Sequence, residues 1–112
     1  MTLMISTHRL AEPTMAIAIE PQGEIRSEDA HKLSDRVIAV LAATRPQRIV
    51  VDLSSVTSLS DAGIVALRSG HEDAAAQDAN LVVVDPDPQV REQLRRGGLD
   101  DLLDGSGSGS RS

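Results

Sequence analysis

A single α/β domain, built on a mixed β-sheet of about four strands with helices packed on it, is the fold class this sequence predicts. Three observations carry that prediction. The chain has 112 residues, 40% of them apolar, enough for one compact domain and too few for two separate cores. Two β-branched runs, "RIVVDLSSV" and "LVVVD", flank a stretch of helical spacing. Strand, helix and strand over residues 49–85 make a βαβ unit, whose crossover should be right-handed. Ahead of them, short segments of alternating hydropathy read as further strands. The domain is expected over residues 1–104, with "GSGSGSRS" at 105–112 a flexible tail, either an appended scar or a disordered end.

The elements follow in order. "LMISTHRL" sets Leu3, Ile5 and Thr7 against Met4, Ser6 and His8, and "MAIAIEP" puts Ile17 and Ile19 on one face. The "AEPT" between them carries the proline of a short turn, so a hairpin or a pair of edge strands is expected. Gly23 breaks the strand pattern. Ser27, followed by Glu28 and Asp29, has the form of a helix N-cap with acids in the first turn, where the macrodipole favours them. Ala30, Leu33, Val37, Val40 and Leu41 recur at helical spacing, and this helix should end near Thr44, ahead of Pro46. The apolar run from Arg48 suits a strand covered on both faces. Ile64, Leu67, His71 and Ala74 or Ala75 line one side of a helix from about Asp61 to Asp78, with Asn80 as a left-handed stop. Leu81 to Asp85 is a second buried strand. A last helix takes Asp87 as cap and Pro88 at its first position and stops at Gly97, after which Leu99, Leu102 and Leu103 pack back.

Composition narrows the function. A net charge of −6 and scattered basic residues argue against nucleic acid, and the absence of Phe, Tyr and Trp removes stacking platforms. The absence of Cys excludes disulfides and thiolate metal sites, and makes a cytoplasmic location the default expectation. The N-terminal segment has neither a long apolar run nor a positively charged lead-in, so neither a signal peptide nor membrane insertion is expected. His8, His31 and His71 lie in separate elements, and "HEDAA" has Ala75 where a zinc helix needs its second His. No phosphate-binding glycine loop is present, since Gly97 and Gly98 follow a helix instead of opening one. Asp100, Asp101 and Asp104 read as a solvated terminal cluster. No catalytic residue, metal or cofactor is nominated, and a protein that is not an enzyme is expected.

The stretch "SSVTSLSDAG" follows the carboxyl end of a central strand and leads into a helix, the place where open α/β sheets put their sites. Ser60 or Asp61 would cap that helix, worth about 1 kcal/mol, and free N–H groups of its first turn favour an anion. Gly63 fits capping less easily, because a helical glycine costs up to about 1 kcal/mol relative to Ala. It suggests the close approach of neighbouring backbone or of a partner surface.

"IVVDLSSVTSLSDAGIVAL" and "ANLVVVDPDPQVREQLRRGGLDDLL" resemble the STAS domains of bacterial anti-sigma-factor antagonists. In those, a strand ending in D-L-S-x-V leads to a D-S-S-G-L turn, then a helix, a strand, a P-x-V-x-x-x-L helix and a G-L step. The upstream "GEIRSEDAHKLSDRV" is similar to the family's G-E-L-D followed by a helix, so the resemblance covers roughly Leu3 to Leu103 with element order intact. It implies a small switch protein that binds an ATP-dependent serine kinase, which is also the anti-sigma factor. In the family, unphosphorylated antagonist captures that kinase and frees the sigma factor, and phosphorylation of a serine at the helix N-terminus ends the capture. The resemblance implies docking through the surface from Ser60 to Leu67, with Ile64, Leu67, Arg68 and His71 as partner-binding positions.

The sequence departs from the family at three places. The D-S-S-G turn falls on Ser60, Asp61, Ala62 and Gly63, so Asp61 stands where the family has its phosphorylated serine. Asp61 then either mimics phosphoserine, with less charge than the −1.5 to −2 or so of a phosphate, or leaves docking permanently competent. Ser60 becomes the candidate phosphorylation position. Arg26 replaces the family's aspartate in "GEIR", near the switch turn, and is expected either to pair with Asp61 or to receive a phosphate on Ser60. Lastly, family domains continue beyond the G-L-D-x-L step with a short strand and a helix. An edge left open there favours self-association, unless the chain has simply been cut short. Two other readings stand beside the switch. One is a non-switching STAS module of a transport ATPase complex or larger signalling assembly, and the weaker is a nucleotide-binding role.

Overall fold

One long strand, β2 (Ala16–Ile25), organises the sheet by holding a different neighbour along each half. On one side it pairs antiparallel with β1 (Met4–Arg9), from Met4 opposite Gln22 to Arg9 opposite Ile17. On the other, Ala16 to Ile19 pair parallel with Arg48 to Val51 of β3 (Arg48–Asp52), and Gly23 to Ile25 pair parallel with β4 (Val56–Leu59). Strand β5 (Asn80–Val84) lies parallel beside β3, from Asn80 opposite Arg48 to Val84 opposite Asp52. The structure, a computed structural model, describes residues 3–10 and 15–103. The proline turn at 11–14, Asp104 and the Gly/Ser tail lie outside the described residues.

The sheet therefore has five strands where about four were expected. The additional strand is β4, inside the stretch read as a loop. With polar Thr57 and Ser58 between buried Val56 and Leu59, its pattern is too short for period-two alternation, and pairing with β2 creates it. The exchange of neighbours along β2 occurs at Gly23, whose φ is +107° and whose N–H donates to the Ser55 carbonyl at 2.9 Å, with a register shift before Glu24. Side-chain-bearing residues rarely adopt that backbone conformation, so the glycine is what lets the strand change partner.

Helix α1 (Ala30–Thr44) buries Ala30, Leu33, Val37, Val40 and Leu41, the predicted stripe, and stops at Thr44 through a left-handed Arg45. The expected cap at Ser27 does not form. The last extended residue is Arg26, and Ser27–Asp29 form a 3₁₀ turn leading into α1, whose cap position is Asp29, so Ser27 lies inside that turn, two residues ahead of the position that would cap α1. Helix α2 (Asp61–Ala76) ends slightly earlier than expected, and the left-handed residue after it is Asp78 (φ 60°), whereas Asn80 opens β5. Helix α3 (Pro88–Arg96) begins as predicted, with the Asp87 carboxylate accepting from the Val90 N–H at 2.9 Å and Pro88 in the first turn. Gly97 ends it, but the positive φ falls on Gly98, at 76°.

Ile17, Ile19, Ile49, Val51, Leu81 and Val83 recur at every second strand position and meet Leu33, Val37 and Leu41 of α1 and Leu67 and Ala74 of α2 in one aliphatic core. Leu94, Leu99 and Leu102 extend that core beneath α3 and the closing 3₁₀ turn (Asp100–Leu102). Leu103 then forms a parallel bridge with Val83 on the outer edge of β5, so the edge expected to be open is covered at that point.

Candidate functional site

The turn joining β4 to α2 is built by hydrogen bonds on every side. Leu59, the last residue of β4, donates its N–H to Gln93 Oε1 on α3 at 2.9 Å, and the Ser60 N–H continues the ladder to the Ile25 carbonyl at 2.9 Å. Ser60 is extended (φ −73°, ψ 167°), and its Oγ accepts from the Gly63 N–H at 3.1 Å, which makes Ser60 the N-cap of α2. Asp61 is the first helical residue and is exposed, placing a carboxylate at the positive end of the helix dipole.

Gly63 faces inward. A Cβ there would lie 2.7 Å from Leu59 Cδ1 and 3.1 Å from Ile25 Cγ2. The close approach that a first-turn glycine suggested is therefore made by two side chains of the protein's own β4 and β2. The glycine lets the helix start sit directly on the sheet, which holds Ser60 and Asp61 at its carboxyl edge.

Beyond the turn, Ile64 and Leu67 do not serve as expected. Leu67 is 0% exposed and Ile64 7%, so both belong to the core and are unavailable to a partner. They lie on the inward stripe of an amphipathic helix, whose outer positions at this level are Val65, 55% exposed, and exposed Arg68. Arg68 ties α2 to α3 by donating from its guanidinium to the Gly97 carbonyl. His71 is half-buried, and its Nδ1 is buried without a hydrogen-bond partner. A groove of about 360 Å³ runs between α2 and α3. Leu59, Ile64 and Val65 give it apolar lining, while Asp61, Arg68 and Arg96 bring charge to it.

Arg26 does not pair with Asp61. Its Nε meets Glu24 Oε1 at 3.3 Å, with both side chains about half exposed, because the two residues alternate along the end of β2 and point the same way. Arg26 still follows directly on Ile25, whose carbonyl receives the Ser60 N–H, so its backbone lies beside the turn.

On α3, Glu92 is held by Arg95 through contacts of 2.8 Å to each carboxylate oxygen and by Arg96 at 3.4 Å. The Arg95 hydrogen bond, with the positive charges of Arg95 and Arg96, keeps the Glu92 carboxyl below its usual range despite some desolvation. The same hydrogen bond raises Arg95. No group of three or more His, Cys, Asp or Glu among the described residues is arranged to hold a metal ion. Among them no helix is long and apolar enough to cross a membrane.

Val65, Gln93, Arg96 and Gly97 join the site although the sequence did not nominate them. Val65 was detectable as an apolar residue one position off the buried stripe. The role of Gln93 depends on how α3 folds over β4, which no local pattern reports.

A family model described as "Mlab, STAS domain" matches residues 8–104. The crystal structure of an anti-sigma factor antagonist from Mycobacterium paratuberculosis superposes with a TM-score of 0.72 at 27% identity, covering 90% of this chain and 84% of that one. The anti-sigma factor antagonist SpoIIAA in its unphosphorylated form superposes with a TM-score of 0.73 at 12% identity, covering 88% and 85%, a likeness of fold. Sulfate transporter 2.2 of Arabidopsis thaliana is 32% identical over 64 residues, 57% of this chain and 10% of the transporter, so the chain spans a small part of that relative's length.

Proposed function

The chain belongs to the STAS domain family, and we propose that it is an anti-sigma-factor antagonist-like binding protein that presents the Ser60–Gly63 turn and the outer face of α2 to a kinase-type anti-sigma factor. The observation that carries this reading is the turn itself. Ser60 caps α2 at the carboxyl edge of the sheet, and exposed Asp61 occupies the first helical position, which the sequence resemblance aligns with the family's switching serine. A carboxylate there is a fixed charge. Docking is therefore set at one level by Asp61, and Ser60 is the position open to phosphorylation. A phosphate on Ser60 would bring charge beside Arg26, which would then exchange Glu24 for the stronger acceptor. With Ile64 and Leu67 in the core, the docking surface consists of Asp61, Val65 and Arg68.

The test is a pull-down from the native host with mass spectrometry of the bound proteins and of Ser60, wild type beside Asp61→Ser. Recovery of a kinase-type anti-sigma factor by either form supports the reading. Recovery by wild type marks a permanently competent antagonist, and recovery by Asp61→Ser alone marks Asp61 as a built-in off state. Failure of both forms to recover one refutes it.

A second reading draws on the transporter relative, of which this chain matches a small part. In it the same face is a non-switching module that holds a transport ATPase or a larger assembly, and Asp61 needs no phosphorylation. Capture of such an ATPase by both forms alike would favour it.

A further inference from the structure

The α2/α3 groove brings two arginines, Arg68 and Arg96, to the surface beside the turn. The protein carries a net charge of −6, yet four of its eleven Lys and Arg residues, Arg68, Arg91, Arg95 and Arg96, cluster on α3 and the facing part of α2. Helix α3 itself holds three arginines against Glu92, which engages Arg95 and Arg96, and of the four arginines Arg68 and Arg96 line the groove, with Asp61 at its end. The apolar surface between the charges is Val65, 55% exposed, over a groove floor of buried Leu59 and Ile64. The Arg68 contact to the Gly97 carbonyl bridges the two helices across the groove.

We propose that this groove docks an acidic segment of a partner protein, which places an aliphatic side chain on Val65 and sets carboxylates against Arg68 and Arg96. The proposal rests on the reading of α2's outer face as the docking face and adds the chemistry of what it receives. A groove of about 360 Å³ accommodates a few side chains and no folded domain, and charge complementarity selects an acidic segment over a basic one. Asp61 lines the same groove and opposes the incoming carboxylates. Negative charge at the turn thereby weakens docking by direct repulsion, without any change of fold.

The full chain, labelled with ¹⁵N, is titrated with the acetylated, amidated hexapeptide EELLEE, and separately with KKLLKK and EEGGEE, at up to about 5 mM, to reach the weak affinities expected of short ligands. EELLEE should shift the amides of Leu59, Val65, Arg68 and Gly97, more weakly as salt screens the exposed charges, and the other two peptides should not. Arg96→Glu should weaken EELLEE about tenfold; that side chain is 79% exposed, so the fold is retained. Asp61→Asn should strengthen it. Equal shifts from KKLLKK, shifts confined to another surface, no shifts from EELLEE, or unchanged affinity in Arg96→Glu would each overturn the proposal. If EELLEE fails while the pull-down recovers a kinase-type anti-sigma factor, the docking reading stands and only this assignment falls.

Discussion

Replacing Gly63 by Ala sets two effects of known sign against each other. Ala favours a helix over Gly by up to about 1 kcal/mol. The new methyl carbon, however, would lie 2.7 Å from Leu59 Cδ1 and 3.1 Å from Ile25 Cγ2. Neither neighbour can swing into solvent, since Leu59 and Ile25 are both buried, and overpacking of this kind costs about 1–3 kcal/mol. The net expectation is a loss of about 1 kcal/mol, or roughly 4–8 °C in Tm for a domain of this size. The chain has no aromatic residue, so urea unfolding is followed by far-UV circular dichroism. Gly70→Ala is the control, because its methyl would approach Leu81 and Val37 no closer than 3.3 Å and the helical gain should nearly balance the crowding. In a Leu59→Ala background the nearer obstacle is gone and only Ile25 Cγ2 at 3.1 Å remains, so Gly63→Ala should cost less there than in the native protein, a coupling that a double-mutant cycle isolates. A higher urea midpoint for Gly63→Ala in the otherwise native protein would refute the account and return the glycine to the role of admitting a partner.

Other expectations follow from single contacts. Asp87→Ala removes the carboxylate that accepts from Val90 and should cost about 1 kcal/mol in urea unfolding; no change would mean that Pro88 alone starts α3. His71→Leu removes a buried Nδ1 that has no partner and should raise stability by about 1 kcal/mol, so a loss would show that His71 makes an interaction essential to the fold. Glu92→Gln releases Arg95 and Arg96 and should tighten EELLEE binding, measured by the same titration. The Glu92 carboxyl titrates below its usual value because of Arg95 and Arg96. Its contribution to stability is therefore present above the unfolded-state pKa of about 4.3 and is lost as pH falls through the lower folded value. The unfolding midpoints of wild type and Glu92→Gln should converge at low pH, and a gap that widens on acidification would contradict the sign.

Much of this protein is local chemistry and can be read without a fold. The β-branched runs of β3 and β5, the stripe of α1 and the Asp87 and Pro88 start of α3 each rest on residues within one turn or one strand of each other. The location of the site is equally local, since Ser60 caps the helix that begins one residue later. The fourth strand is different. Val56 and Leu59 flank two polar residues, and only the neighbouring β2, freed to change partner at Gly23, turns that stretch into a ladder. The reason for Gly63 likewise lies 38 residues back at Ile25 and on Leu59, brought together by that ladder. Periodicity places Ile64 and Leu67 on one stripe, yet a stripe does not say whether it meets a core or a partner, and burial decided for the core. Arg26 met Glu24 instead of Asp61, because it continues the extended backbone one residue past β2 and alternate residues of extended chain share a face. The groove between α2 and α3 exists only because α3 folds over β4 and is held there by Gln93 and Arg68. Sequence thus determined the elements and the turn, through contacts a few residues apart. Tertiary structure alone decided which surface that turn offers, because the groups that shape it are distant in the chain and adjacent only in the fold.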